Sequence, residues 1–226
     1  MMTFFAAAGS YVLAKEGWGK VPYLQVLGRQ YAVSGPVFGL WRSAMWQVLS
    51  YEELKEAYRE QACRVGAEMP DLDALLEYMV EHRFLLRGEG YTGMDALRQM
   101  LRSAFVSPVI SGEAEKVRRA ADLLRRGKIN WNGFLKLLEP EDLSEEERAV
   151  LHLVRQTPLS TAELIRCWDY HIRDVHTQEG KNRLADVARK EEEGEAVSVA
   201  FSPSRDRILE TVASLFLKRH VLLEQK

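Results

Sequence analysis

Cys167, His171 and His176 form the densest group of side chains in this chain that could ligate a metal. Cys167 and His171 stand four residues apart and would share a helix face, with Asp169 and Asp174 nearby. His176 would leave that face on a continuous helix, and zinc takes four protein ligands, or three and a water. There is no CxxC or HxxxH frame, so the segment reads as polar surface. No metal and no cofactor are expected. Catalytic signatures are missing as well. The chain has no GxSxG and no P-loop. Histidines 82, 152, 171, 176 and 220 form no ordered triad, and Cys63 reads as a buried thiol. The carboxylate groups Glu52-Glu53 and Glu145-Glu146-Glu147 fall where helices begin, and first-turn acids are favoured there by the helix dipole. The chain is therefore read as not an enzyme.

Charge offers a second kind of chemistry. With 31 basic and 33 acidic residues the net charge is -2, so no global field draws the chain to nucleic acid. Locally, KVRRAADLLRRGK concentrates Lys116, Arg118, Arg119, Arg125, Arg126 and Lys128 against one acid, Asp122. Arg205, Arg207, Lys218 and Arg219 add a milder basic set near the C-terminus, against Asp206 and Glu210. Both sets are candidate phosphate contacts. The aromatic residues Trp18, Tyr23, Tyr31 and Trp46 cluster in the first quarter of the chain. They could complete a small core, or flank a sheet edge near residues 23–33 to which a peptide adds as a strand.

The elements that must carry these groups are read from periodicity and punctuation. Residues 10–14 and 23–33 are strand-like, with GWGKVP between them as turn residues and Gly28 as a candidate bulge. Residues 37–49 repeat apolar side chains at helical spacing behind Ser34-Gly35-Pro36. Ser50 and Glu53 form a capping box at the start of a second helix. A third helix is expected over 71–83, followed by extended Phe84-Leu85-Leu86 and a short wing at Arg87-Gly88-Glu89-Gly90. Residues 94–105 read as helical.

The same order then recurs. Ser144 and Glu147 form a capping box, Ser160 and Glu163 repeat Ser50 and Glu53, and Leu164 stands where Leu54 stood. Leu40, Trp41 and Ala44 fall opposite Val150, Leu151 and Val154, Leu85-Leu86 opposite Leu222-Leu223, and His82-Arg83 opposite Arg219-His220. The second copy is longer inside, with an insertion near 169–202 that includes a strand candidate at 196–201.

This pattern resembles the winged-helix superfamily, written twice. The sheet and helices of residues 9–87 also resemble the PqqD-like recognition domains of peptide-modifying systems, in which a small sheet is followed by three helices. The expected fold is α+β and mostly helical. Its parts are a winged-helix-like domain at 1–92 with a small sheet, a helical connector at 93–140 and a second winged-helix-like domain at 141–226. In winged helices the third helix enters the major groove. The first copy's third helix carries Asp71, Asp73, Glu77 and Glu81 and would repel phosphates. The expected function is a DNA-associated transcriptional regulator that binds double-stranded DNA through the connector and the second copy. The alternative is a protein- or peptide-binding adaptor on the same scaffold without DNA. A homodimer suits a regulator of two-fold operators. Two isolated cysteines and no apolar run of spanning length lead to the expectation of a cytoplasmic protein with no membrane partner.

Overall fold

The computed structural model describes residues 1–16, 19–65, 70–109, 124–125, 130, 142–194 and 196–225. It is an α+β structure. Among the described residues, three three-stranded antiparallel sheets are covered by helices.

Strand β1 (Met2–Ala7) leads into a meander of β2 (Ser10–Glu16), β3 (Gly19–Val26) and β4 (Arg29–Ala32). Helix α1 (Gly35–Ser43), the two-residue β5 (Leu49–Ser50), α2 (Tyr51–Val65) and α3 (Leu72–Glu81) come next, and β6 (Leu85–Gly90) closes this part. Helix α4 (Gly93–Leu101) and strand β7 (Ala104–Pro108) follow. The remainder comprises α5 (Glu145–Gln156), β8 (Leu159–Ser160), α6 (Thr161–Asp169), α7 (Gln178–Glu192), a 3-10 turn (Val199–Phe201), α8 (Arg205–Leu217) and β9 (Val221–Gln225).

Two of the sheets share one plan. Their strand orders are β5-β1-β6 and β8-β7-β9, and in each the central strand precedes the first helix of its group. Phe4 of β1 lies opposite Ser50 and Gly88, and Phe105 of β7 lies opposite Ser160 and Glu224. The helices that feed the closing strands end alike. Phe84 N–H returns to the Met79 carbonyl at 2.8 Å and His220 N–H to the Leu215 carbonyl at 2.9 Å, over Arg83 and Arg219 with φ of 59° and 65°. This corrects the expected alignment by one residue. Arg83 matches Arg219 and Leu85-Leu86 match Val221-Leu222, because the left-handed turn fixes where each strand begins.

Capping boxes start these groups. Ser50 and Glu53, Ser144 and Glu147, and Ser160 and Glu163 each exchange both bonds of the reciprocal pair. Ser160→Ala removes the acceptor for the Glu163 N–H at 3.2 Å. It should cost about 1 kcal/mol, read as a lowered urea midpoint at unchanged slope.

Three further expectations change. Residues 104–108 are not helical connector but the central strand of the third sheet, and β1 at the N-terminus plays the same part in its own sheet. Residues 87–90 are not a wing. They belong to β6, and their glycines let α4 lie directly on that strand, since a Cβ at Gly88 would stand 2.6 Å from the Ala96 carbonyl oxygen. Residues 196–201 form no strand among the described positions. The Ser198 hydroxyl accepts the Ala200 N–H and tightens the chain into the 3-10 turn.

The core divides at β1. Phe5 and Ala7 face α1, α2 and α3, whereas Phe4, Ala6 and Ala8 face α4 and the second group of helices. The first closing sheet is thus buried on both faces, and α4 joins the halves through Ala96, Leu97, Met100 and Leu101. Among the described residues no helix is long and apolar enough to cross a membrane.

Candidate functional site

Of the aromatic residues expected to cluster in the first quarter of the chain, Tyr23 and Tyr31 lie on the meander sheet, whereas Trp46 packs against the other core beneath Arg219. The order of the meander sheet is β2-β3-β4, so among the described residues β4 is paired on one side only. Leu27 and Gly28 both have positive φ, 49° and 74°, and form a two-residue turn of the primed hairpin type. Gly28 therefore marks a turn between two strands and not a bulge within one. Glu224 holds this turn from β9, its Oε1 accepting the Leu27 N–H at 3.2 Å. Burial pushes the Glu224 carboxyl above the usual range, against the lowering effect of that bond.

The hairpin fixes which backbone groups of β4 are open. Val26 pairs with Arg29, Gln25 with Gln30, Leu24 with Tyr31 and Tyr23 with Ala32, and the Val33 N–H reaches the Pro22 carbonyl at 3.1 Å. Antiparallel ladders alternate bonded and non-bonded pairs. Residues 29, 31 and 33 therefore bond inward to β3, and Gln30 and Ala32 turn their N–H and C=O groups to the open edge.

A groove lies beside that edge. A cavity of about 530 Å³ is lined by Leu27, Arg29, Tyr31, Glu81, His82 and Arg83. Tyr31 shares a sheet face with buried Leu24 and meets Phe84 edge-on at 5.3 Å. On α3, the rings of Tyr78 and His82 lie 4.1 Å apart, and both approach Phe84. His82 is held by a 2.9 Å contact between Nδ1 and the Tyr78 carbonyl. Asp71 caps α3 by accepting the Ala74 N–H at 3.1 Å, and Asp73 accepts the Tyr51 hydroxyl at 2.7 Å, a bond that raises the Tyr51 pKa. Glu81 at the end of α3 is the carboxylate at this groove, where Arg29, His82 and Arg83 stand beside the Tyr31 ring.

The residues expected to contact DNA are distributed differently. Lys116, Arg118, Arg119, Arg126 and Lys128 lie outside the described residues, as does Trp18. Arg125 is exposed. Arg207 is paired with Glu146 and lies over the Trp168 ring at 5.5 Å. Lys218 bonds both oxygens of Glu147, at 2.7 and 2.9 Å. Arg219 lies over Trp46 at 5.7 Å, and Arg205 donates to the Ala200 carbonyl at 3.4 Å. These four cations are brought to one end or the other of α8, each already engaged within the chain. The middle of that helix is packed on nearly all sides, and Arg98 of α4 reaches across it to Glu210. Comparison with known protein families, curated proteins and solved structures finds no match for this chain.

The Cys167 segment is also placed. Cys167 is buried on α6, and desolvation pushes its thiol up to about 12, which disfavours a thiolate ligand. Among the described residues no three His, Cys, Asp or Glu side chains converge as a metal site. Cys63, expected to be buried, is exposed on α2. What sequence reasoning missed is the groove between β4 and the end of α3. The acidic character of that helix was legible, but its position alongside Tyr31 depends on a hairpin some forty residues earlier.

Proposed function

We propose that the chain is a peptide- or protein-binding adaptor that takes an extended segment along β4. The scaffold would be two winged-helix units, each with its third strand moved ahead of the first helix. The shared strand order and the matched turns at Arg83 and Arg219 support that reading. The observation that carries the binding proposal is the edge of β4, where the outward backbone groups of Gln30 and Ala32 have no partner among the described residues and stand beside a groove. Backbone pairing would supply affinity, and alternate side chains would meet Tyr31, Tyr78 and His82 on one side. The resemblance to PqqD-like domains points to the same surface.

DNA readout is the second reading, and the engaged cations of α8 and the acidic face of α3 weigh against it. The deciding experiment selects peptides from a random display library on the full chain, then titrates the winners against Gln30→Pro. Proline there removes an outward N–H and leaves the β3 ladder intact. We expect peptides to be selected, and binding at least tenfold weaker to the variant at unchanged thermal stability. Equal binding to both proteins would refute the β4 site. A saturable shift of duplex DNA at low salt, with no peptide selected, would restore the regulator.

A further inference from the structure

A second cavity, of about 790 Å³, opens between α5, α6 and the start of α8, in the half of the molecule the peptide proposal does not use. Its size suits a small organic ligand. The floor is apolar: Leu153, Cys167 and Ile172 are all buried. One wall is the indole of Trp168, held by the Arg207 guanidinium above it. The mouth is cationic and comes from two elements. Arg148 and His152 stand one turn apart on α5, and His171 and Arg173 come from the segment after α6.

These four side chains are exposed, and none has a hydrogen-bonding or ionic partner among the described residues. Glu146 is committed to Arg207, so Glu145 is the remaining acid at the mouth. Two free guanidinium groups and two imidazoles thus face one carboxylate above an oily floor. His171 also adopts a φ of 53°, where glycine or asparagine is the ordinary choice, in the turn that returns the Ile172 N–H to the Cys167 carbonyl at 2.8 Å. That turn aims the segment carrying Arg173 at α5.

We infer that this cavity binds a small, flat aromatic anion, such as an aryl carboxylate or aryl sulfonate. Its ring would lie against Trp168 over the apolar floor, and its acid group would lie between Arg148 and Arg173. Guanidinium groups match planar oxyanions by paired N–H donors, and the indole offers a stacking face. The buried, protonated Cys167 makes the association non-covalent.

The probe is 8-anilinonaphthalene-1-sulfonate, with uncharged N-phenyl-1-naphthylamine as its counterpart, titrated against the full chain by fluorescence. The expected result is saturable one-to-one binding of the sulfonate. Arg148→Glu with Arg173→Glu should weaken it at least tenfold while leaving the uncharged dye unaffected and the circular dichroism unchanged. Ala149→Trp, which fills the cavity without altering its charge, should abolish it. In a labelled sample, the indole N–H resonance of Trp168, assigned by Trp168→Phe, should shift on saturation. The inference is overturned by sulfonate binding that does not saturate, by equal affinity in the charge-reversed protein, or by saturation that leaves the Trp168 resonance in place. Because the cavity lies away from β4, these outcomes are independent of whether a peptide binds there.

Discussion

Trp41→Ala should remove roughly 4 kcal/mol of stability, by the usual cost of emptying a buried aromatic site. The side chain is 0% exposed, at the centre of the first core with Leu40, Ala44, Leu54 and Met79. Its indole N–H also donates to the Ala8 carbonyl at 2.9 Å, and the Ala8 N–H in turn bonds the Phe84 carbonyl at 2.9 Å. The tryptophan therefore links α1 to the end of β1, the strand that must reach the middle of a sheet whose other members follow much later in the chain. Truncation leaves a cavity and an unpaired carbonyl. Trp41→Phe separates the two effects, since it keeps an apolar ring and deletes the donor. Its cost should be about 1–2 kcal/mol. Chemical denaturation followed by far-UV circular dichroism reads both. A total stability of about 5–15 kcal/mol is typical of a domain, so the alanine variant should be partly unfolded well below the wild-type midpoint. A loss under about 1 kcal/mol, the size of an ordinary surface change, would mean that Trp41 does not hold β1 in place.

The same strand shows where sequence reading succeeds and where it stops. Ser50, Ser144 and Ser160 announce helix starts because a capping box is written within four residues, and the structure forms all three boxes. The stripe of Leu72, Leu75, Leu76 and Met79 identifies α3 for the same local reason. Strands β1 and β7 give no such signal. Phe4, Ala6 and Ala8 face one core while Phe5 and Ala7 face the other, so the apolar and polar alternation that marks a half-buried strand is absent. Their partners lie far off in the chain, at β5 and β6 for one and β8 and β9 for the other. The glycines at 88 and 90 mislead in the complementary way. In sequence they look like turn residues, but their role is the close approach of α4, which only the packed chain reveals.

The candidate sites follow the same division. The edge at residues 23–33 was legible because strand and turn residues are contiguous there. The basic residues of α8 were legible as charge but not as partners. Arg207 and Lys218 find Glu146 and Glu147 on a helix some sixty to seventy residues earlier. Nothing in a linear pattern distinguishes a free cation from one already spent on an internal carboxylate. The cavity between α5, α6 and α8 was invisible for the same reason, since its mouth draws on Arg148, Arg173 and Arg207 together.

Replacing Glu147 should be the second largest loss, about 3 kcal/mol for Glu147→Ala, combining a missing cap with hydrogen bonds to a charged group. Its side chain is 6% exposed and serves three structures at once. It accepts the Ser144 N–H at 2.8 Å, the Ser214 hydroxyl at 2.6 Å and the Lys218 ammonium at 2.7 Å, so it caps α5 and fastens the C-terminal turn of α8 to it. Burial pushes its carboxyl upward, but the bonds to Lys218, Ser214 and Ser144 together outweigh burial and hold it below the ordinary glutamate value of 4.5. The sign of the pH effect follows from that direction. A carboxylate with a lowered folded-state pKa contributes stability that is complete above the unfolded value and is lost as pH falls through the folded one. Glu147→Gln keeps the shape and removes the titration. The stability gap between wild type and this variant should be widest near neutrality and should narrow progressively below about pH 4, where unfolded glutamates take up protons. Lys218→Met isolates the ion pair. Lys218 is itself 41% exposed, so its loss should cost only about 1 kcal/mol after solvent screening. Urea titrations of the three proteins at several pH values measure each quantity. A gap between wild type and Glu147→Gln that stayed constant with pH would show that Glu147 titrates as a free side chain and does not join the two helices.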